Sequence, residues 1–313
     1  MLRIQPGRKR YCRELLNIYL ERKSPQKGEK LSFTGINKRD VYNITAPFLS
    51  LGETFIAGRV EERDSEDSVV MFFRKDGEKW VADDKKDQFR LQDPFITKID
   101  RELVFGGVEI FNKGSKKGNL GWRTLFFRGK SIYDLKQFSV GPEGMKDIRL
   151  VQLLDGRIGV FTRPQGNPGG RGTIGYITID RLEELTAEKI KGADLLENQF
   201  YSDEWGGVNE VHLLKNGLLA VLGHIACFDT KGKRHYYPIA FSFDPVRKIA
   251  TDLEILAARR DFPTGPAKRE DLFDVLFSGG IVRLSEGKAV LYLGISDTEA
   301  GKILIPDPFL KYE

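Results

Sequence analysis

The chain has 313 residues, 30% of them charged, and 50 Lys and Arg against 45 Asp and Glu leave a net charge of +5. Its basic clusters (Arg8-Lys9-Arg10, Lys116-Lys117, Lys231 with Lys233 and Arg234) are short and mixed with acids, which argues against a nucleic-acid reader. Two cysteines, Cys12 and Cys227, leave no disulfide framework and fit a reducing compartment; with no secretory leader and no run of membrane-span length, a soluble cytoplasmic protein is expected.

From about Arg10 to Arg22, apolar residues among charges predict a short amphipathic helix. The rest reads as β-strands broken by turns. The first group is Val41–Ser50, Thr54–Glu61, Ser68–Phe73 and Lys79–Val81, and the second is Leu91–Ile99, Leu103–Phe111, Trp122–Phe127 and Ser131–Tyr133. The third comprises Ile148–Leu153, Arg157–Thr162, Gly172–Ile179 and a charged stretch to about Leu196. The fourth comprises Gly207–Leu214, Leu218–Ile225, Tyr236–Phe243 and Ala250–Leu256; Val275–Leu284, Ala289–Gly294 and Lys302–Ile305 make the fifth.

One unit is used twice. Asn43…Pro47-Phe48 leads into Gly58-Arg-Val-Glu61, and Gln92-Asp-Pro-Phe95 leads into Gly106-Gly-Val-Glu109. Pro47 to Glu61 is 14 positions and Pro94 to Glu109 is 15. A repeat of this period with five strand groups, at about 60 residues each, predicts an all-β fold, a five-bladed β-propeller with enlarged loops. It is expected to be a single domain over 1–313, with blades at about 41–83, 91–138, 144–196, 204–256 and 270–305. An N-terminal piece such as Lys30–Gly35 is expected to complete the fifth blade and close the ring, since an open edge invites aggregation. A pair of β-sandwiches would match the strand count but not the repeat.

Polar residues recur in the first strand of each group: Asn43 or Thr45, then Asp93, Asp147, Glu210 and Asp274, spaced 50, 54, 63 and 64 from Asn43 onward. First strands of a propeller line the channel, so these residues are expected to face one another across it. Each alone could be a strand-entry cap; buried and in register, they suggest a shared site. Alternation puts Arg59 with Glu61 and Asp147 with Arg149 on common strand faces, either as structural ion pairs or as an anion-holding site. His212 shares a face with Glu210, and His224 follows on the next strand. No zinc-ligand spacing occurs, so no metal is expected. Gly169-Gly-Arg-Gly172 has no helix behind it and reads as a hairpin loop, and Trp205 is either a sugar-stacking platform or a packing aromatic.

The order of these motifs resembles the five-bladed propeller glycosidase superfamily, most closely the mannoside phosphorylases and mannosidases of glycoside hydrolase family 130. Asn43…Pro47 with Gly58-Arg-Val-Glu61 resembles that family's Asn-Pro and Arg-Val-Glu, and Gln92-Asp-Pro-Phe95 its Glu-Asp-Pro-Arg, with Phe95 in place of the Arg. Asp147…Arg163-Pro164, Gly217…Gly-His224, Phe277-Ser-Gly-Gly280 and Leu291-Tyr-Leu-Gly-Ile-Ser-Asp297-Thr298 resemble its later blades. The resemblance covers about residues 41–305, and it extends to conserved propellers with no assigned activity.

The resemblance implies cleavage of a glycosidic bond, by hydrolysis or phosphorolysis. Asp93 is the expected general acid, its pKa raised by Asp147 and Glu210, either of which would activate water in a hydrolase. In a phosphorylase Lys146, Arg163 and His224 would cradle the anion. Substrate contacts are expected from Asn43, Arg59, Glu61, Glu109, Lys146, Arg149, Arg163, Trp205, Asn209, His212, His224 and Asp274. The expected partners are an oligosaccharide or glycoside and, for phosphorolysis, inorganic phosphate; no cofactor, nucleic acid or membrane is called for. The rival reading is a non-catalytic propeller that binds a carbohydrate or a protein.

Overall fold

Strands whose two faces are both covered read as unbroken apolar runs, and Leu219–Phe228 (LAVLGHIACF) is such a run, buried over nearly its whole length. This is the building rule of the fold: flat antiparallel sheets stacked face to face around an axis. The computed structural model describes residues 3–21, 27–85, 88–113 and 118–313. Arg22 and the Lys116-Lys117 cluster lie outside the described residues.

Four hydrogen-bonded sheets make the five blades of a β-propeller, because a short parallel pairing of His235-Tyr236 with Asp274-Val275 joins blades 4 and 5. In blade 1, Asp40–Tyr42 and Phe48–Ser50 form an interrupted inner strand against Glu53–Glu61, followed by Val69–Asp76 and Lys79–Ala82. Blade 2 is Gln92–Ile99, Glu102–Asn112, Leu120–Gly129 and Lys136–Val140. Blade 3 is Arg149–Gln152, Ile158–Thr162, Gly175–Ile179 and Asp194–Leu195. Blade 4 is Trp205–Leu213, Leu219–Phe228 and Arg234–Asp244, edged by Ile249–Ala250 and Glu254–Ile255. Blade 5 is Asp274–Arg283, Lys288–Ile295 and Glu299–Pro306. A helix, Cys12–Leu20, packs Leu15 and Tyr19 against Ile225, Tyr237 and Ile239 of blade 4.

Two expectations of detail are corrected. Ser131–Tyr133 is not the outer strand of blade 2: Ile132–Asp134 is a turn of 3-10 helix, fixed by Asp134 accepting from the Ser131 amide at 2.7 Å, and the outer strand follows it. The N-terminal piece straddles a seam instead of joining one blade. Glu29–Lys30 pairs antiparallel with Glu299–Pro306 of blade 5, whereas Ser32–Thr34 pairs parallel with Lys79–Ala82 of blade 1.

The core lies between blades. Phe55, Phe72, Phe105 and Leu125 bridge blades 1 and 2, with the Phe72 and Phe105 rings 5.2 Å apart. Ile148, Val160, Val104 and Phe126 join blades 2 and 3, and Phe161, Tyr176, Val221 and Phe243 join blades 3 and 4. Each buried large apolar side chain contributes about 1.5–3 kcal/mol, so blade-to-blade packing gives the axis a rigid frame.

Candidate active site

Each inner strand is broken at one place, and the breaks make the site. In blade 2 the register shifts between Gln92 and Phe95, in blade 4 between Val208 and Glu210, and in blade 5 between Ser278 and Gly280. Blade 1 breaks over Asn43–Pro47, and blade 3 starts just after Asp147. The residues at the breaks are Asn43, Asp93, Asp147, Asn209 and Gly279. Asn43, Asp93 and Asp147 adopt left-handed φ of 44°, 47° and 57°. Asn and Asp tolerate that region better than other side-chain-bearing residues, at a cost in strain that clusters at functional sites. Asp93 is therefore not extended, as the proline after it would suggest.

Around these breaks a polar network is buried. Asp93 accepts from Asn43 Nδ2 at 2.8 Å and lies 3.4 Å from Arg59 Nη1. Arg59 donates to Glu61 Oε2 at 3.0 Å through Nη2 and stacks its guanidinium 5.0 Å from the Tyr42 ring centre. Glu61, 1% exposed, also receives the Tyr42 hydroxyl and the Lys268 ammonium. Asp147, equally buried, pairs with Arg163 Nη1 at 3.3 Å, Arg149 Nη2 at 3.8 Å and His224 Nε2 at 4.0 Å. His224 Nδ1 is 2.8 Å from Asn209 Oδ1, which also takes a contact from Ser278 Oγ at 3.0 Å.

Glycines make room for this convergence. A Cβ on Gly207 would sit 2.8 Å from Arg163 Cδ, 3.1 Å from His224 Cε1 and 3.3 Å from Asp147 Cβ. One on Gly172, in the loop expected as a hairpin connection, would meet the Arg163 guanidinium at 2.7 Å. Phe95, where the resembling family has Arg, carries the Arg149 guanidinium 4.5 Å from its ring centre. A cation from the next blade thus stands beside it.

Charge states follow from burial and neighbours. Burial by itself would raise the Asp93 carboxyl, but Arg59, Lys146 and the Asn43 amide outweigh it and hold the group below its ordinary range, against Asp147. The expected raised pKa is thus reversed: Asp93 is ionised at rest. Burial likewise opposes ionisation of Asp147, yet Arg163, Lys146, His224 and Arg149 pull it down to about 2. His224 is lowered to about 3, by burial first and then by Arg163, Lys146 and Arg149 against Asp147, so it is neutral and not a cation of the cradle. The group with a proton to give near neutrality is Asp297, which burial pushes up to about 6, Asp93 adding to the effect and Arg59, Lys268 and Lys146 opposing it.

The structure brings together Asn43, Arg59, Glu61, Asp93, Lys146, Asp147, Arg149, Arg163, Asn209 and His224. Lys146 acts electrostatically on Asp93, Asp147, His224 and Asp297, and has no ion pair among the described residues. Others lie apart. Glu210 is one position past its break, and its Oε2 accepts from the Ile281 amide at 2.7 Å and contacts His212 Nε2 at 2.9 Å. Asp274 starts the inner strand of blade 5 but turns to His235 Nδ1, 2.6 Å away, and to the Tyr237 hydroxyl. Glu109 pairs with Arg123 at 2.6 Å, half-exposed. Trp205 packs on Phe228 and Tyr236, donating to the Tyr236 hydroxyl at 2.8 Å, as the packing reading requires.

Tyr42, Lys268, Ser278 and Asp297 complete the site and were not among the expected contacts. Asp297 and Ser278 lay inside quoted motifs, and that was a usable signal; nothing local marked Lys268. Asn43 Oδ1, both Asp147 oxygens, Arg163 Nη1 and Asn209 Nδ2 are buried with no hydrogen-bond partner. Native interiors rarely leave such atoms without hydrogen bonds; the Asp147 oxygens and Arg163 Nη1 keep only their ion-pair contacts.

The fold is that of a five-bladed propeller with a polar cluster buried where its inner strands break. Its solved relatives include a β-1,2-mannobiose phosphorylase from Listeria innocua, which has the same fold at 13% identity and TM-score 0.63, over 97% of this chain and 98% of that one. More particularly, the chain belongs to the family described as "Protein of unknown function (DUF1861)", which matches residues 19–311. A mannose phosphorylase from Leishmania mexicana, solved with phosphate ion, is 34% identical over 95% of this chain and 93% of that one, with TM-score 0.88. A GDP-Man-dependent mannosyltransferase from the same organism is 35% identical over 96% and 95%, with TM-score 0.87. A curated 4-O-β-D-mannosyl-D-glucose phosphorylase from Bacteroides fragilis is 26% identical over 157 residues, and the match spans 38% of its length.

No helix among the described residues is long and apolar enough to cross a membrane.

Proposed function

We propose that this chain is a mannosyl-transferring phosphorylase, moving a mannosyl group between an acceptor hydroxyl and inorganic phosphate in the axial pocket. The observation that carries the reading is the cluster of buried polar atoms without hydrogen bonds at the strand breaks, with Lys146, which has no ion pair among the described residues, beside it. Five cations (Arg59, Lys146, Arg149, Arg163, Lys268) meet five carboxylates (Glu61, Glu66, Asp93, Asp147, Asp297), of which Glu66 is exposed and Asp297 is raised to about 6, so the cation available to an anion is Lys146. Asp147 already occupies part of the cradle through its ion pair with Arg163, so Lys146, which has no such pair among the described residues, is the place for phosphate.

In phosphorolysis a phosphate oxygen attacks the anomeric carbon, the glycosidic C–O bond breaks, and the departing oxygen takes a proton. In synthesis the acceptor hydroxyl attacks mannose 1-phosphate, loses its proton, and phosphate leaves. An ionised Asp93 is the base for synthesis; by microscopic reversibility it is the acid for phosphorolysis, its pKa rising as the phosphate charge arrives. Asp147, held near 2, is a weak base, and Glu210 is tied to the Ile281 amide, so neither expected water-activating group is well placed for hydrolysis. Asp297, which makes no hydrogen bond to a described residue, is left to receive a sugar hydroxyl.

A second reading, with a nucleoside diphosphate as the leaving group, is favoured by equal likeness to the mannosyltransferase. One experiment separates them: incubate the protein with mannosides and phosphate, and separately with mannose 1-phosphate or GDP-mannose plus mannose, and follow products. Phosphate-dependent mannose 1-phosphate is expected, and Lys146→Met should raise the phosphate KM about 10–100-fold, the loss of one charge-assisted contact. Sugar release at the same rate without phosphate would mean hydrolysis. Transfer from GDP-mannose alone would establish the second reading.

A further inference from the structure

The chain's only two cysteines, 215 positions apart in sequence, are brought side by side. Cys12, buried, opens the N-terminal helix, its amide bonded to Glu204 Oε1 at 2.6 Å; Cys227, half-buried, ends the second strand of blade 4. The two side chains lie in one packed cluster with Tyr237 and Ile225. Directly across the sheet from Cys227 stands His235, and beside His235, in parallel register, stands Asp274. His235 Nδ1 is 2.6 Å from Asp274 Oδ2, and its Nε2 is 3.6 Å from Asp229 Oδ2. The side chains of His235 and Asp274 are 26% and 28% exposed, so a small solute reaches this group from solvent.

We propose that Cys227 and Cys12 form a reversible dithiol site that reacts with hydroperoxides, Cys227 attacking and Cys12 resolving. Two features place the reactive role on Cys227. It is the more accessible thiol. It lies across the sheet from an imidazole held by two carboxylates. The Asp274 hydrogen bond raises His235, burial opposing, which favours the cationic ring. Cys12 lowers Cys227, burial opposing and His235 adding, and a lowered thiol pKa enlarges the thiolate fraction.

The chemistry balances with one hydroperoxide. The Cys227 thiolate attacks the distal oxygen and the O–O bond breaks; sulfur is oxidised by two electrons to a sulfenic acid, and the departing oxygen leaves as water or an alcohol after taking a proton. Cys12 sulfur then attacks the sulfenic sulfur, its proton and the hydroxyl leave as water, and the disulfide ties the helix to blade 4. A dithiol reductant reverses the step. This site lies outside the sugar pocket, and it accounts for the tie of Asp274 to His235 where the sequence suggested a channel-lining acid.

The test uses the reduced full chain and hydrogen peroxide at pH 7, followed by intact mass, thiol labelling and peptide mapping. The expected product has lost two hydrogens, carries a Cys12–Cys227 linked peptide, and returns to two free thiols with dithiothreitol. It should form about 10-fold faster than free cysteine oxidises, in line with a larger thiolate fraction. Cys12→Ser should stop at the Cys227 sulfenic acid, trapped by dimedone. Asp274→Asn and, as an independent change, His235→Gln should each slow oxidation about 3–10-fold. Accumulation of sulfinic acid without a bridge, or survival of both thiols at the rate of free cysteine, would overturn the proposal. So would wild-type oxidation rates in both the Asp274 and His235 variants.

Discussion

Replacing Asp297 by Asn should make the protein more stable at neutral pH while costing it activity. The sign follows from linkage. Asp297 is raised from 3.8 to about 6 in the fold, so the native state prefers its protonated form, and ionisation above pH 6 opposes folding. Asn resembles the protonated carboxyl and removes that opposition. A shift of about two units at about 1.4 kcal/mol each gives about 3 kcal/mol at pH 8, falling to about half at pH 5 and vanishing below about 4. Urea unfolding of wild type and variant at pH 5, 6.5 and 8 measures it, with the m-value as a check that the same surface is exposed. Asp297→Asn less stable than wild type at pH 8, or a gain independent of pH, would refute the reasoning. A pocket that holds an unfavourable charge for use is a known form of the trade between stability and activity.

Asp93→Asn keeps the acceptor for Asn43 but removes the proton carrier; turnover on mannosides or mannose 1-phosphate should fall about 10²–10⁴-fold, read by product formation, with little change in Tm because Arg59 keeps Glu61. Gly207→Ala would push a methyl against Arg163, His224 and Asp147, so it should raise the phosphate KM more than it lowers Tm, as separate kinetic and thermal measurements would show. Glu61→Gln leaves Arg59 and Lys268 with less charge around them in a dry site, and chemical denaturation should report a loss of about 3–5 kcal/mol, as for other broken buried pairs.

Much of this architecture is legible in the residues themselves. Continuous apolar runs, Asp-Gly and Asn-Gly turns and the repeated Pro-Phe unit carry the blades, because local backbone preference and two-sided burial act within a few residues of one another. Asn43, Asp93 and Asp147 could be placed in register for the same reason. What failed is the exact position in blades 4 and 5. A bulge adds one residue to a strand, and in a period-2 structure a slip of one reverses which face a side chain meets; Asn209 therefore holds the position that Glu210 seemed to hold, whereas in blade 5 the break falls at Gly279, five residues beyond the strand start at Asp274. The repeat also misled at Glu109. Glu61 is drawn inward by Arg59, but the matching residue in blade 2 is Gly107, so Glu109 turns to Arg123 at the rim. Charge states were decided only by the closed ring. Asp93 is ionised and His224 neutral because Arg59, Lys146, Arg163 and burial act on them from segments far apart in the chain, and no local pattern of residues encodes a field that arises only when five blades meet.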